Sequence, residues 1–137
     1  MVFPGNFDSL EPIRVFFAQA AREAGFNENT VYDIQMAVDE AAANIIDHAY
    51  GGENLGDIEC AYEIQPSGLV VYLYDHGLPF DPEEIEEPDL LTDVCQRKSR
   101  GLGLYFMRKM MDEVHFDLNG QGGNVLVMRK NFEKEQG

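Results

Sequence analysis

The sequence predicts an α+β fold in which grouped helices cover one face of a mainly antiparallel sheet. Two long segments with helical apolar spacing come first, and two pairs of strand-like segments follow, with one more helical segment between the pairs. Strands joined by short turns pair antiparallel, and helices segregated from strands are typical of α+β domains. We therefore expect a two-layer α/β sandwich with one mixed or wholly antiparallel sheet. The chain of 137 residues has the length of one domain, with its core at about residues 8–131.

The first two helices are predicted from apolar residues at helical spacing and from residues typical of helix ends. Ser9 is the expected N-cap of a helix that ends at Gly25. Asn27 or Asn29 is the expected N-cap of the second helix, which runs to about Ala49. The apolar stripe of this second helix comprises Val31, Ile34, Val38, Ala41, Ala42, Ile45, Ile46 and Ala49.

The strands are predicted as two β-hairpins. Residues 57–64 and 69–74 flank a turn with Pro, Ser and Gly, and residues 114–118 and 124–129 flank a glycine-rich loop. Between the hairpins, residues 102–114 are apolar nearly all round, which predicts a largely buried helix. An acidic, weakly patterned stretch also lies between the hairpins and favours an excursion outside the sandwich; it spans residues 83–99.

The charge and the lack of targeting signals limit the partners and the location. The chain has 25 acidic and 10 basic residues, for a net charge of -15. Nucleic acid and anionic membranes repel such a protein, so we expect neither as a partner, whereas a basic protein surface would suit it. No apolar run could span a bilayer, and the N-terminal residues do not resemble a secretory signal. We expect a cytoplasmic protein with Cys60 and Cys95 as reduced thiols.

A cluster of bases interrupts this acidic chain. No Lys or Arg lies between residues 23 and 96. Three bases then follow close together: Arg97, Lys98 and Arg100. Gly101 and Gly103 come next, where a loop is predicted to become a helix. Free N–H groups at a helix N-terminus attract anions, and glycine leaves room for a phosphate. The cluster indicates either local charge balance or an anionic ligand.

Two further segments carry polar residues in positions suited to a site. Glu40, Asn44 and His48 follow one another at intervals of four, so they project from neighbouring turns on one side of the second helix. Asp75 ends a predicted strand, where its carboxylate could accept from an amine or a backbone N–H. Gly77 would let a flat ring or another backbone approach closely. Each pattern is weak alone, because a solvated helix face and an ordinary Asp-Gly-Pro loop would look the same.

The order and separation of the three segments resemble the nucleotide-binding boxes of the GHKL ATPase superfamily, which includes gyrases and histidine kinases. Residues 40–50 (EAAANIIDHAY) resemble its N-box, residues 75–82 (DHGLPFDP) its G1 box and residues 100–104 (RGLGL) its G2 box. The ends of these boxes, together with the Met-Asp-Glu-Val sequence at residues 111–114, are most similar to anti-sigma-factor serine kinases of the RsbW type.

The resemblance implies the Bergerat, or histidine-kinase-like ATPase, fold and a site for ATP and Mg²⁺. It implies that Asn44 is a Mg²⁺ ligand and that Glu40 is the general base that takes a proton from the attacking hydroxyl. Asp75 would accept a hydrogen bond from the adenine amino group, and residues 83–99 would form a lid. The full set of nucleotide-binding residues that it implies is Asn44, His48, Asp75, Gly77, Lys98, Arg100, Gly101, Leu102 and Gly103.

The resemblance also implies a function. The chain would transfer the γ-phosphoryl group of ATP to a serine or threonine of a small anti-sigma-factor antagonist, and would hold a sigma factor inactive, as a homodimer. Two alternatives stay open: a module that binds a partner, with or without nucleotide, and has no kinase activity, and a stand-alone member of the superfamily that serves another regulator with no sigma factor involved. The intact Glu40 and Asn44 favour a kinase. One departure is Gly123-Asn124, where many superfamily members have Gly-Thr; an Asn amide can still donate a hydrogen bond there.

Overall fold

The computed structural model of the protein describes residues 1–78, 100–119 and 123–132. The predicted lid at residues 83–99 therefore lies outside the described residues. The helices are α1 (Leu10–Ala24), α2 (Glu28–Asn44) and α3 (Arg100–Met110), with a short 3-10 turn at Phe7–Ser9 and a π-helical turn at Ile45–Ala49. The strands are β1 (Val2–Pro4), β2 (Asp57–Gln65), β3 (Gly68–Asp75), β4 (Glu113–Asn119) and β5 (Gly123–Asn131).

The described strands form one sheet in the order β1-β2-β3-β5-β4, and every neighbouring pair is antiparallel. The predicted α+β fold is confirmed. The prediction allowed a mixed or a wholly antiparallel sheet, and the described strands form a wholly antiparallel one. Strands β3 and β5 lie at the centre, and their paired ends bring Asp75 opposite Asn124. This register matters because it places the end of the first hairpin beside the start of the last strand.

Apolar side chains fill the space between the helices and one face of the sheet. Every residue of the predicted stripe on the second helix is buried. The largest fully buried side chains include Ile13 and Phe17 from α1, Ile34 from α2, Met107 from α3, and Ile58, Leu69, Leu73 and Met128 from the sheet. Cys60 is a buried free thiol, and burial raises its pKa to about 12.

The helix ends confirm two of the predicted signals and correct a third. Gly25 ends α1 in the left-handed conformation, with φ of 106°. Asn27 caps α2, because its side chain accepts a hydrogen bond from the Thr30 N–H at 2.9 Å. Ser9 directly precedes α1 but does not cap it through its side chain, since its hydroxyl donates to the Pro4 carbonyl at 2.6 Å.

Three boundaries differ from the sequence prediction. Strand β1 was not predicted, because three residues are too few to show an alternating pattern; it pairs with residues 57–59 of β2. The second helix does not stay α-helical to Ala49 but changes to a π turn after Asn44. The third helix begins at Arg100 rather than Leu102 and ends at Met110, so Val114 belongs to a strand. A search of the described residues finds no helix with the length and apolarity needed to cross a membrane.

Candidate functional site

The π turn that follows α2 packs directly on the loop that follows β3. The Leu78 N–H donates to the Ala49 carbonyl at 2.8 Å. A Cβ atom at Gly77 would lie 2.4 Å from that same carbonyl oxygen and 2.8 Å from the Ala49 Cβ. Only glycine fits such a close approach of two backbone segments. Gly77 therefore lets the helix end and the strand end meet.

Tyr50 ties three segments together beside this contact. Its hydroxyl accepts a hydrogen bond from the His76 N–H at 3.1 Å and donates to the Asp57 carbonyl at 2.5 Å. Its ring covers Gly56, where a Cβ would approach the ring to 2.3 Å. The Tyr50 N–H donates back to the Ile45 carbonyl at 3.0 Å, which is the i to i+5 bond of the π turn. The extra residue of the turn brings Tyr50 into this position.

Asp75 is a buried carboxylate with two donors from its own site. One of its oxygens, Oδ1, accepts from the Gly77 N–H at 2.9 Å and from the Asn124 Nδ2 at 2.9 Å. The same Nδ2 donates to the Gly77 carbonyl at 3.1 Å. Burial raises the pKa of Asp75, while these hydrogen bonds oppose the rise. Asn124 thus donates within the protein, to Asp75 and Gly77, and this donation holds the carboxylate in place.

The start of β5 also lies close against the end of β3. Gly123 has φ of 91°, and a Cβ there would lie 2.8 Å from the Asp75 carbonyl oxygen. Glycine at this point lets the next residue, Asn124, reach Asp75 and Gly77 across the strand pair. The Gly-Asn sequence therefore serves two purposes, a close approach and a side-chain donor.

Asn44, Asp75 and Asn124 meet at one small cavity. All three are 4% exposed. The cavity has a volume of about 10 Å³, room for about one water molecule. Its lining is completed by apolar residues: Ala41, Ile45, Met107, Phe116, Val125 and Leu126. Asn44 and Asp75, predicted site residues from separate motifs, thus line the same cavity. Asn124 lines it too, although in the sequence it is only a departure from the superfamily pattern.

Glu40 and His48 lie one turn either side of Asn44 and are both half-buried. The pKa of Glu40 is raised, first by burial and second by the nearby Asp39 carboxylate, which itself forms an ion pair with Arg14. A raised carboxyl pKa suits a group that accepts and releases a proton near neutral pH. His48 does not line the small cavity.

The remaining predicted site residues belong to the G2 segment and to the bases just before it. Arg100, Gly101, Leu102 and Gly103 form the first turn of α3, so the glycines lie inside the helix rather than before it. The first N–H groups of a helix have no acceptor within the helix, which keeps the G2 segment suited to an anion. Arg97 and Lys98 lie outside the described residues. Helix α3 itself packs against α2.

Sequence reasoning did not find the roles of Tyr50 and Asn124. Tyr50 is the last residue of the N-box segment, and no sequence pattern shows that its hydroxyl joins two other segments. Asn124 stands in the sequence only as a departure from Gly-Thr, and its position opposite Asp75 follows from the strand register alone. The pairing of β3 with β5 is the information that would locate Asn124 beside Asp75, and the sequence does not give the strand order.

A family model described as the histidine kinase-like ATPase domain matches residues 3–130, and the chain belongs to this family. Among curated relatives, the serine-protein kinase RsbW of Bacillus thuringiensis (strain Al Hakam) is 29% identical over 140 residues, covering 99% of this chain and 86% of that protein. RsbW of Bacillus cereus (strain 03BB102) matches with the same identity and coverage.

Solved structures show the same fold at lower identity. The catalytic domain of histidine kinase ThkA superposes with a TM-score of 0.55 at 19% identity, covering 96% of this chain and 95% of that one. The histidine kinase domain of the blue-light activated histidine kinase from Erythrobacter litoralis EL346 superposes with a TM-score of 0.56 at 15% identity, covering 94% and 61%. The predicted histidine-kinase-like ATPase fold is confirmed.

The contact at Gly77 can be tested by Gly77→Ala. We expect this change to lower the free energy of unfolding by about 1–3 kcal/mol, because the added methyl group forces the loop away from Ala49. The measurement is urea unfolding. Leu78→Ala is the matched control, since the neighbouring Leu78 side chain is 76% exposed and its loss should change stability by less than about 0.5 kcal/mol. Equal stabilities for the two variants would contradict the close contact.

The raised pKa of Asp75 predicts a pH dependence of stability. Just above the ordinary value of 3.8, the unfolded chain has lost the Asp75 proton while the folded protein still holds it, so the free energy of unfolding falls as pH rises. We expect the stability of the wild type minus that of Asp75→Asn to decrease as pH rises from 3.8 through the raised value, and then to level off. Urea unfolding at a series of pH values measures this difference. A difference that grew with pH would show a lowered pKa instead.

Proposed function

We propose that this chain is an ATP-dependent serine/threonine protein kinase that also acts as an anti-sigma factor. The observation that carries the proposal is the shared cavity of Asn44 and Asp75, which joins the N-box helix to the G1 strand end. Membership of the histidine kinase-like ATPase family and similarity to proteins named serine-protein kinase RsbW support it. The chain works as a single domain at residues 1–137, in the cytoplasm.

In this proposal the nucleotide base lies against the end of β3. The Asp75 carboxylate accepts from the adenine amino group, and Gly77 lines the base pocket without a side chain in the way. His48 and the residues at the start of α3 face the rest of the nucleotide. Lys98 and Arg100 offset the charge of the triphosphate, and the backbone of Gly101, Leu102 and Gly103 donates to its oxygens.

Asn44 is the proposed Mg²⁺ ligand, and its chemistry fits that role. Its side chain is an amide buried at the site, and an amide oxygen is a suitable hard ligand for Mg²⁺. The described residues contain no group of three or more His, Cys, Asp or Glu side chains that could hold a metal by themselves. Magnesium usually keeps waters and binds substrate phosphates, so a single side-chain ligand is consistent with it. When bound, Mg²⁺ offsets the charge of the phosphates.

Glu40 is the proposed general base. The serine or threonine hydroxyl of the substrate attacks the γ-phosphorus of ATP, the bond to ADP breaks, and the Glu40 carboxylate takes the hydroxyl proton. Its position one helical turn before Asn44, the proposed Mg²⁺ ligand, supports this role. Its raised pKa makes it a better proton acceptor than an ordinary surface carboxylate.

The partners in this proposal are a sigma factor and a small antagonist protein that is the phosphorylation substrate. The net charge of -15 favours basic protein surfaces and would speed encounter with them. A second copy of the chain would cover the apolar surface near the N-terminus. This surface includes the exposed Met1 and Val15, which line one groove with Phe3 and Phe16.

Titration calorimetry with ATP and ADP, with and without Mg²⁺, tests the proposal. We expect binding of ATP that strengthens when Mg²⁺ is present, because Asn44 and the phosphates share the ion. Asn44→Ala should remove the Mg²⁺ effect and keep the binding that depends on the base. If the wild type shows no binding at millimolar nucleotide, the kinase proposal fails for this chain.

The role of Glu40 predicts a kinetic effect of Glu40→Gln. We expect at least a hundredfold drop in kcat for phosphoryl transfer, which is the usual contribution of a general base. The Kd for ATP should stay within about threefold, because the change keeps the side-chain shape. Glu28→Gln is the control: it removes the same charge from the exposed first turn of the same helix. Transfer at the wild-type rate in Glu40→Gln would exclude Glu40 as the base.

A further inference from the structure

The sheet has a second face, which none of the described helices covers. The helices pack on the face that carries the buried residues Leu69, Val71, Leu73, Leu126 and Met128. Side chains alternate between the two faces along a strand, so the intervening residues of β3 and β5 point to the other side. We call this other side, on strands β2 to β5, the open face.

The strand register arranges the open face in three rows that each cross four strands. In the spatial order β2, β3, β5, β4, the rows are Glu59-Tyr74-Val125-Asp117, Ala61-Tyr72-Val127-His115 and Glu63-Val70-Arg129-Glu113. The two central strands supply the middle of every row. Acids stand at both ends of the first and third rows, so the face has a central strip between two acidic margins.

The central strip is apolar and aromatic. Tyr72 and Tyr74 stack with their ring centroids 6.2 Å apart and 12° between the ring planes. Both tyrosines are half-buried, as are Val125 and Val127. A sheet face in water usually carries polar residues, and Thr would satisfy strand propensity equally well. Apolar patches with a polar rim mark interaction sites, and tyrosine is enriched in protein interfaces. The strip therefore has the composition of an interface.

The margins of the open face are negatively charged. Two exposed acids stand on β2 and two on β4: Glu59, Glu63, Glu113 and Asp117. Arg129 is the one Lys or Arg in the three rows, and it donates to Glu113 and to Gln65, each at 2.9 Å. The neighbouring Lys130 points to the other face, where its ammonium donates to the Met110 carbonyl at 2.7 Å. The open face is therefore complementary to basic groups.

We propose that the open face docks an amphipathic helix of a partner protein, with apolar residues on one side of the helix and Lys or Arg on both flanks. The apolar side would lie on the tyrosines and valines of β3 and β5. The bases of each flank would meet the acids of β2 and β4. This inference goes beyond the proposed kinase activity, because it uses no side chain of the nucleotide site.

The dimensions of the open face suit one helix. Neighbouring strands lie about 4.8 Å apart, so β2 and β4, three spacings apart, are separated by roughly 14 Å. A helix with its side chains is about 10–12 Å wide, and it fits between the two acidic margins. Strand β3 has eight residues, or about 27 Å, which is the length of roughly 18 residues of α-helix. The two acids on each margin lie roughly 14 Å apart along the strand, or two to three helical turns.

A groove beside β4 adds depth to one margin. Its volume is about 400 Å³, and its lining residues are Glu113, Val114, His115, Val127 and Arg129. The Glu113 side chain is 69% exposed there, and a carboxylate that accepts from one arginine has lone pairs left for a second donor. The groove can therefore receive one long basic side chain from the flank of the docked helix.

A synthetic peptide tests the proposal. The probe peptide has about 18 residues, with Leu on one side of the helix, Lys on both flanks and Ala elsewhere. We expect it to bind the wild type and to shift the NMR signals of Tyr72, Tyr74, Val125 and Val127. A peptide of the same composition, reordered so that no apolar side forms, should bind at least tenfold more weakly, because it keeps only the charge. Equal binding of the two peptides, shifts confined to the helix layer, or no binding at millimolar peptide would overturn the proposal.

Two pairs of variants separate the apolar contact from the charged one. Tyr74→Ala should weaken the probe peptide at least tenfold, as loss of a central aromatic residue does in interfaces. Its control is Tyr32→Ala, which removes a 60% exposed tyrosine from α2 and should leave the Kd within about twofold. Asp117→Lys should weaken binding at least threefold at low salt. Its control is Glu28→Lys, the same charge change on the exposed first turn of α2, with a smaller effect. Equal effects within either pair would contradict docking at the open face.

The same measurements distinguish a second copy of the chain from a partner helix. If a second copy covers the open face, sedimentation would show a wild-type dimer that Tyr74→Ala makes monomeric, and this result would overturn the proposal. Failure of nucleotide to bind would remove the proposed function and leave this inference standing, because none of these experiments contains nucleotide. The two peptides on the wild type decide the question even where a variant does not fold.

Discussion

The contact between Ala49 and Gly77 is the constraint on which the site depends. It sets how closely the end of the long second helix approaches the end of the central strand β3. Asn44 comes from the helix and Asp75 from the strand, so their shared cavity exists only at this separation. Any side chain at residue 77 would widen it. A glycine that looks like an ordinary loop residue in the sequence is therefore a packing residue between two layers.

Electrostatics at the site reflect a balance between burial and hydrogen bonding. A buried carboxylate is unfavourable, and burial raises the pKa of Asp75, yet two donors aimed at one of its oxygens limit the rise. Glu40 has a raised pKa from a different cause, since burial and the Asp39 charge act together. The two carboxyls thus differ in environment: one is held by donors, and the other is half-buried beside another acid. This difference suits one group for recognition and the other for proton transfer.

Much of the fold could be predicted from the sequence because its signals are local. The stripe of α2, the cap at Asn27 and the glycine at residue 25 depend on neighbours within a few residues. The π turn and strand β1 could not be predicted: an apolar stripe continues equally well in either helix type, and β1 has three residues. For the site, the resemblance placed Asn44 and Asp75 in the same motif set. The contacts of Tyr50 and Asn124 depend on strand register and loop packing, which no local pattern encodes.

The π turn changes the direction in which the residues beyond it point. A π turn holds about one residue more than an α-helical turn, so the chain beyond it is rotated by roughly 100° from the direction that an unbroken α-helix would give it. The side chains before and after the π turn therefore follow two different angular registers along one continuous helix. Asn44 ends the first register, and Tyr50 lies beyond the π turn. If residues 45–49 became a regular α-helix at the same chain length, Tyr50 would turn by this angle, away from Asp57 and His76. In this protein the irregular helix is the one that keeps the two halves of the site in register.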